Sequence, residues 1–395
     1  MKLSLLLAST LMALGSVFPS AAGTVPQFAN GASSTGWVDF EFQDGKRIFI
    51  PARINGHETK VLLATGLAVS DIDKTFAASI GLRNHASPEP GAAASADSGS
   101  LIHGVNIQIG NMTLQDTDAA PVDFSQLAAH IGHELPLLLG DDAFDQSSID
   151  IDFARHRISF SKPGSQPKPE GAIVLPITRV DDIPLVPVSI EDATPAQFEL
   201  GIGNSSEMLV YQSYYDAHHL LEGRKASKRL AAGTGGFIVE PVAMLRRVQF
   251  AGFTFTNMPA AFIPASQTGT ASAVIAGDIG LPVLSRFRLV VDYAHGRVYA
   301  VPYGNVTQSP LPKDRLGAFV TQQGEGFVIK FIAPDSPAQT SGLKAGDTIT
   351  AIDGKPSQSW TQTSFDELRY RPRGTSVSFT LQNGPTRQVK LADYF

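Results

Sequence analysis

The chain has 395 residues, enough for several domains with sizeable cores. Its net charge of −6 is spread along the sequence, whereas a nucleic-acid surface needs clustered Lys and Arg, so nucleic acid is excluded as a partner. The absence of cysteine excludes disulfides, thiol nucleophiles and thiolate metal sites.

The N-terminus has the pattern of a secretory signal peptide. Lys2 precedes an apolar stretch, residues 3–18, and small residues then lead to a cleavage position after Ala22. The alternative is an uncleaved membrane anchor, but the apolar stretch is short for a span of ~20 residues. We therefore expect residues 1–22 to be removed. The mature protein is expected in the bacterial periplasm or outside the cell, without a stable membrane span.

Most of the chain consists of short runs with β-type alternation, bounded by Gly, Pro, Asn and Asp, which predicts a mainly β fold. The clearest runs are WVDFEF (37–42), RIFIPARI (47–54), VNIQIG (105–110), FRLVVDY (287–293) and RVYAVPY (297–303). Helical turns are expected at residues 73–82, with Asp73 as N-cap, and at residues 205–221.

Two polar, proline-rich stretches, residues 161–171 and 303–315, predict linkers. The expected domains are the signal peptide (1–22), lobe one (35–162), a linker (163–171), lobe two (172–303), a linker (304–313) and a C-terminal domain (314–395).

The two lobes repeat each other in sequence. The aligned segments are 50–66 with 186–203, and 137–160 with 274–300. From Ala64 to Gly140 there are 76 positions, as there are from Gly201 to Gly277. Chance similarity between strands would not keep this register, so we infer an internal duplication.

This repeat resembles the pepsin-like and retropepsin-like aspartic peptidases, specifically bacterial exported forms with a C-terminal PDZ domain. The apolar-apolar-Gly elements of that family are matched by residues 138–140 and 275–277, and the strands that follow them by residues 149–153 and 289–293. The resemblance implies two pseudo-symmetric β lobes of the pepsin/retropepsin type, followed by a circularly permuted PDZ domain of α+β structure.

The chain departs from the family at the catalytic motifs, where Asp-Thr-Gly is expected in each lobe. The matching positions are Ala64, Thr65 and Gly66 in lobe one, and Gly201, Ile202 and Gly203 in lobe two. The family mechanism uses two carboxylates that share one proton, one activating water and the other protonating the scissile carbonyl. Because Ala64 and Gly201 have no ionisable group, we expect no catalytic residue here and no peptide hydrolysis by this route.

Other carboxylates leave an alternative open. Glu199 lies two residues before Gly201, on the same face of the strand, and Asp71 and Asp73 follow the lobe-one turn. All three are also interpretable as ordinary strand or helix-start acids. The acids at repeat-matched positions look structural by the resemblance; they are Asp141, Asp152, Asp278 and Asp292.

Two Gly- and Ala-rich stretches, residues 91–104 and 231–241, fall where the family places loops over its cleft. Cleft-covering hairpins and ordinary surface turns are both consistent with this composition. The choice stays open at this point.

The stretch from residue 324 to 357 is similar to a bacterial PDZ domain, with Ser336 opening a short helix and Asp353-Gly354 suited to a hairpin. By resemblance, a loop would bind a ligand's terminal carboxylate, a strand would pair with the ligand, and a helix within 361–370 would line the groove. The residues implied are Arg315, Leu316, Gly317 and Ala318 in the loop, Phe319 and Val320 in the strand, and Phe365 and Leu368 in the helix. Phe319, Phe365 and Leu368 are also interpretable as residues of the domain core.

No motif indicates a cofactor or a metal. HIGHE (130–134) lacks the spacing of the zincin motif and a third ligand. We therefore expect a catalytically inactive aspartic-peptidase homologue that binds peptide or protein segments through its interlobe cleft, and a peptide or protein C-terminal tail through its PDZ groove. The alternatives are an active endopeptidase with non-standard carboxylates, and a small-molecule or glycan binder in the vacant cleft.

Overall fold

The computed structural model describes residues 25–83, 101–180, 183–233, 236–267 and 274–395. Within them the chain forms four β-sheets and only short helices, so the prediction of a mainly β fold is confirmed. The expected signal peptide, residues 1–22, lies outside the described residues. Among the described helices, none combines the length and the hydropathy needed to cross a bilayer.

Lobe one is built on an eight-stranded sheet. Its strands are β1 (Gln27–Phe28), β3 (Glu41–Gln43), β4 (Arg47–Ile54), β5 (His57–Leu63), β6 (Ser70–Asp73), β7 (Ile102–Ile109), β8 (Met112–Val122) and β9 (Leu137–Leu139). The helices are α1 (Lys74–Ser79), α2 (Ser125–Ile131) and α3 (Asp141–Asp145). Along β7, buried Val105, Ile107 and Ile109 alternate with exposed polar residues, so one face of the strand packs on the core.

Lobe two contains a second eight-stranded sheet. Its strands are β13 (Thr178–Val180), β14 (Ile183–Ile190), β15 (Ala196–Gly201), β16 (Met208–Tyr211), β17 (Ala226–Gly233), β18 (Gly236–Phe250), β19 (Phe253–Ile263) and β20 (Gly277–Gly280), and its helices are α4 (Gln212–Ala217) and α5 (Leu281–Leu284). The prediction of a helix at residues 205–221 is wrong for the first half of that range. That half forms strand β16, because Met208 and Val210 are buried between β19 and β20.

The two lobe sheets share one four-strand arrangement. Lobe one has the order β5-β9-β6-β8, and lobe two has β15-β20-β16-β19. In each lobe the first pair is parallel, the middle pair antiparallel and the last pair parallel. The sequence repeat therefore corresponds to a repeat in topology, and it places the turns after β5 and β15 at equivalent positions.

A six-stranded central sheet joins the lobes. Its order is β12 (Ile173–Pro176), β22 (Arg297–Pro302), β21 (Phe287–Asp292), β10 (Ser148–Asp152), β11 (Arg157–Ser161) and β2 (Val38–Asp39). The lobes meet where β10 pairs antiparallel with β21, with Ile149 opposite Val291. Across this seam Arg288 Nη2 lies 2.6 Å from Asp150 Oδ2. One apolar core runs through both lobes, which makes them a single packed body.

The C-terminal domain has its own sheet and core. The strands are β23 (Ala318–Gln323), β24 (Gly326–Ile332), β25 (Thr348–Ile352), β26 (Lys355–Pro356), β27 (Ser376–Leu381) and β28 (Arg387–Lys390), and the helices are α6 (Pro337–Thr340) and α7 (Gln362–Leu368). Asp353 and Gly354 both have positive φ in the turn between β25 and β26, as the Asp-Gly pair predicts for a tight hairpin.

Candidate functional site

The two glycine-containing turns meet where the lobes join. Lobe one presents Ala64–Gly66 after β5, and lobe two presents Gly201–Gly203 at the end of β15. A Cβ atom built on Gly203 would lie 2.9 Å from the Cβ of Ala64, so the turns are in close contact. Ala64 is only 6% exposed. The structure thus brings together the two motifs that the sequence repeat singled out.

Thr65 links the two turns through its hydroxyl. Its Oγ1 donates a hydrogen bond to the carbonyl of Leu200 and accepts one from the N–H of Ile202 at 2.8 Å. Ile202 occupies the corresponding position in lobe two, but it has no hydroxyl and its side chain is buried. Of the two symmetric cross-links that the repeat would allow, one is therefore present.

Asp278 fills the space next to Gly201. A Cβ atom on Gly201 would lie 1.9 Å from Asp278 Oδ1, so a side chain at position 201 and the present position of Asp278 exclude each other. Asn204 Nδ2 donates to the same oxygen at 3.1 Å. Burial, together with the neighbouring Glu199, raises the pKa of Asp278 to about 8. Asp278 is therefore largely protonated at neutral pH.

Glu199 lies between the two turns. It pairs with Asp278 in the register of the parallel strands β15 and β20. Its Oε2 lies 3.4 Å from the point where a Cβ on Gly66 would be, and its Oε1 accepts a hydrogen bond from the Tyr211 hydroxyl at 3.4 Å. Burial raises the pKa of Glu199 to about 7.

A cavity of about 10 Å³ lies beside these turns, which is room for about one water molecule. It is lined by Thr65, Gly66, Asp141, Ile183, Pro184, Glu199, Leu200 and Tyr293. Asp141 Oδ2 accepts the N–H of Gly66 at 3.2 Å, and burial raises the pKa of Asp141 well above its ordinary value. The junction thus holds a group of buried carboxyls whose pKa values are raised by burial.

Asp71 belongs to a second acid pair in lobe one. Burial and the adjacent Asp142 raise the pKa of Asp71 to about 7, and burial raises that of Asp142 to about 6. The Ser70 hydroxyl donates to Asp142 Oδ1 at 2.8 Å and accepts the N–H of Gly140 at 3.0 Å. This network ties β6 to the start of α3.

The other acids singled out from the sequence have structural partners. Asp73 caps α1 by accepting the backbone N–H three residues further on at 2.8 Å. Asp152 accepts the hydroxyl of Tyr303 at 2.9 Å, and Asp292 lies 3.4 Å from a guanidinium nitrogen of Arg297. Each of these three carboxyls thus has a partner within the surrounding fold.

Helix α2 and its flanking residues cover the lobe-one turn. Ala64 belongs to an apolar cluster whose other buried members are Phe49, Leu62, Phe124, Ile131, Leu135 and Leu138. Within the stretch 231–241, the described residues 231–233 and 236–241 belong to the β17–β18 hairpin. Phe237 in this hairpin is 37% exposed. Of the stretch 91–104, residues 91–100 lie outside the described part of the chain.

In the C-terminal domain, β23 and α7 are the elements between which the resemblance to PDZ domains implies a ligand groove. Val320, Phe365 and Leu368 are buried in the core of that domain, where the Phe365 ring lies 5.1 Å from that of Phe327. Phe319 instead faces the lobes, with its ring 4.3 Å from that of His130 on α2. The Phe319 side chain therefore contacts lobe one.

The loop before β23 has its N–H groups satisfied within the domain. Leu316 and Gly317 both donate to Asp314 Oδ1, at 2.9 and 3.1 Å, and the N–H of Arg315 bonds to the carbonyl of Arg369 at 2.9 Å. Ala318 pairs within the β23–β24 ladder. Asp314 lies at the end of the stretch 303–315, which the sequence predicts to be a linker, so its role was not predicted.

Asp314 is held as a carboxylate. Its Oδ2 lies 2.6 Å from Arg369 Nη2 and accepts the Tyr394 hydroxyl at 3.1 Å. Burial by itself would raise the pKa of Asp314, but the Arg369 charge and the hydrogen bonds outweigh burial and lower it. A carboxylate of this chain therefore occupies the loop that the resemblance assigns to a ligand's carboxylate.

His130 and His133 point to different neighbours. The His133 ring stacks on Phe49 at 3.9 Å, whereas His130 stacks on Phe319. In the part of the chain that the structure describes, no group of three His, Asp or Glu side chains is arranged to hold a metal ion.

Comparison with known proteins identifies the C-terminal domain. Among the curated proteins, none matches this chain. The PDZ domain family matches residues 307–382, which contain β23 to β27 and helices α6 and α7, so the C-terminal domain is a PDZ domain.

Proposed function

We propose that this protein binds peptide or protein segments without hydrolysing them, as an exported aspartic-peptidase homologue that lacks its catalytic pair. The PDZ domain indicates binding of peptide or protein segments, because such domains add an extended ligand to a sheet edge. For the lobes, the proposal rests on the turn junction, where Ala64 touches Gly203 and Asp278 takes the space beside Gly201.

The relation to aspartic peptidases is supported by the arrangement of the repeat. Two sheets of equal strand order bring their turns together at the lobe junction, and the Thr65 hydroxyl bonds one turn to the other. A fold that keeps this junction while the two acidic positions hold a methyl group and a hydrogen atom retains the framework without the chemistry. General acid–base groups are worth about 10²–10⁴ in rate each, so hydrolysis by this route is lost.

A second candidate is an active endopeptidase with non-standard carboxylates, Glu199 and Asp278. These carboxyls are neighbours on adjacent strands, and their pKa values of about 7 and about 8 lie in the range of a general acid and base at neutral pH. Against it, Asp278 is buried, and Ala64 in the adjoining turn belongs to the apolar cluster that includes residues of α2. The other alternative, a small molecule or glycan bound in the vacant cleft, is disfavoured by the size of the cavity at the turns. That cavity measures about 10 Å³, whereas ligand pockets measure ≈300–1,000 Å³.

The test is a proteolysis assay on residues 23–395 with unfolded casein between about pH 3 and pH 8. It compares the natural protein with Glu199→Gln, Asp278→Asn and, as a control, Glu222→Gln, whose side chain is 75% exposed. We expect no cleavage by any of them. Cleavage by the natural protein and the control that disappears in Glu199→Gln would overturn the proposal and establish the second candidate.

A further inference from the structure

The ligand-pairing edge of the PDZ domain is occupied by a side chain of the same domain. Gln362, at the start of α7, donates from Nε2 to the Val320 carbonyl at 3.3 Å and accepts the N–H of Gln322 on Oε1 at 3.1 Å. This is the pair of main-chain bonds that an added strand would make with β23. Gln362 is only 3% exposed, so the bonds are shielded from water.

The side-chain face of the groove is covered by lobe one. His130 of α2 is 8% exposed, and its ring stacks on that of Phe319 at 4.3 Å. A Cβ atom on Gly132, the residue that ends α2, would lie 3.6 Å from the Cβ of Gln362. The C-terminal end of α2 therefore lies against β23 and the start of α7, in the place of a ligand.

Neighbouring segments hold α2 in this position. Gln43 Nε2 donates to the Ile131 carbonyl at 3.0 Å and lies 3.5 Å from Thr363 Oγ1, which connects lobe one, α2 and α7. Phe237, from the lobe-two hairpin, meets Phe319 edge to face at 5.4 Å. Lys46 Nζ donates to the Tyr370 hydroxyl at 2.7 Å. Both lobes thus contribute to closing the groove.

We infer that helix α2 is the built-in ligand of the PDZ groove, and that an external peptide binds there only after α2 has left. Because Asp314 already satisfies Leu316 and Gly317, the groove takes that peptide without needing a free terminal carboxylate. This inference rests on the proposed peptide binding by the PDZ domain. It differs from the C-terminal tail expected by resemblance, because an internal or amidated segment would serve equally well.

Occupancy of the groove by α2 is tested with an engineered disulfide. Because the natural chain has no cysteine, only the two introduced cysteines can form one. The pair Gly132→Cys with Gln362→Cys has a Cβ separation of 3.6 Å, within the ≈3.5–4.5 Å of disulfides. The control pair is Gly132→Cys with Ala345→Cys, an exposed position of the same domain. Mild oxidation should cross-link only the first pair, detected by intact mass. Equal cross-linking of both pairs, or of neither, overturns the inference.

A second measurement uses the natural protein, so that its result does not depend on whether a variant folds. Hydrogen exchange should show the N–H groups of Leu316, Gly317 and Gln322 protected as strongly as the ladder of β23 and β24. Rapid exchange of Gln322 would mean that the edge is open, and the inference would fail.

Regulation by α2 is tested by binding of a fluorescein-labelled pool of ten-residue peptides with an apolar last residue, in free-acid and amide forms. The released variant is His130→Ala with Phe237→Ala, and the matched control is His219→Ala with Val239→Ala, whose residues are exposed. We expect affinity at least about tenfold higher for the released variant than for the natural and control proteins. Acid and amide forms should agree within about threefold.

The outcomes separate the two proposals. Equal affinity for natural and released protein keeps peptide binding and overturns closure by α2. A preference for the free acid above about tenfold overturns the role given to Asp314. If no form of the protein binds the pool, the proposed function fails, while the disulfide still decides where α2 lies.

Discussion

Replacing Asp278 with asparagine is expected to stabilise the protein at alkaline pH and to leave its stability nearly unchanged at acid pH. Asp278 is 9% exposed, and burial together with Glu199 raises its pKa from 3.8 to about 8. Asparagine has a similar shape and keeps an oxygen that can accept the hydrogen bond from the side-chain Nδ2 of Asn204. The substitution therefore removes the charge and little else.

The sign and size of the effect follow from proton linkage. Between the two pKa values the carboxyl is protonated in the native state and ionised in the unfolded chain, so folding takes up a proton and the free energy of unfolding falls as pH rises. At about 1.4 kcal/mol for each pH unit from 3.8 to 8, the upper limit is about 6 kcal/mol, reached above about pH 8. Water that reaches the ionised group lowers this penalty, so we expect a gain of at least about 2 kcal/mol near pH 9.

The assay is urea unfolding of the natural protein, Asp278→Asn and the control Asp192→Asn, whose side chain is 81% exposed, near pH 4 and pH 9. The control should differ from the natural protein by less than about 0.5 kcal/mol at both pH values. A gain from Asp278→Asn that is equal at both pH values, or absent at the higher one, would refute a buried carboxyl beside Gly201.

Three further substitutions test other contacts. Gly201→Asp should lower the free energy of unfolding by about 3 kcal/mol because its Cβ would lie 1.9 Å from Asp278 Oδ1, and adding Asp278→Ala should recover most of the loss in thermal melts; no recovery would contradict the overlap. Thr65→Val should lower the free energy of unfolding by about 2 kcal/mol, measured with urea, because two hydrogen bonds of the Thr65 hydroxyl are lost. Thr65→Ser keeps the hydroxyl and should lower it by less. Equal decreases for the two variants would argue against these bonds. Asp314→Ala should destabilise the PDZ domain by about 3–5 kcal/mol, measured by urea unfolding, because it removes the nearer carboxylate from the buried Arg369 guanidinium; a loss below about 1 kcal/mol would speak against this ion pair.

Local features were predictable from the sequence because neighbouring residues decide them. The N-cap at Asp73 depends on a side chain and an N–H three residues apart, and the turn at Asp353 and Gly354 depends on two residues that tolerate positive φ. The failure at residues 205–221 has the opposite cause. Strand β16 exists because it pairs with β19 and β20, which lie more than 40 residues away in the chain.

The candidate site was predictable only in part. The repeat singled out the turns at Ala64 and Gly201, and the family resemblance singled out the groove of the C-terminal domain. Neither could reveal that Asp278 fills the space beside Gly201 or that Gln362 occupies the pairing edge, because both depend on side-chain placement between strands and helices.

By itself, the sequence determined the alternation of the strands, the duplicated motifs and the absence of a carboxyl at either motif, since each of these is written in residue types and short spacings. Tertiary structure alone decided what lies against those motifs and against the PDZ groove. Thr65 bonds to a carbonyl 135 positions away, and Lys46 to a hydroxyl 324 positions away. Contacts between such distant residues arise when packed sheets and helices bring their surfaces together, and no local pattern encodes them.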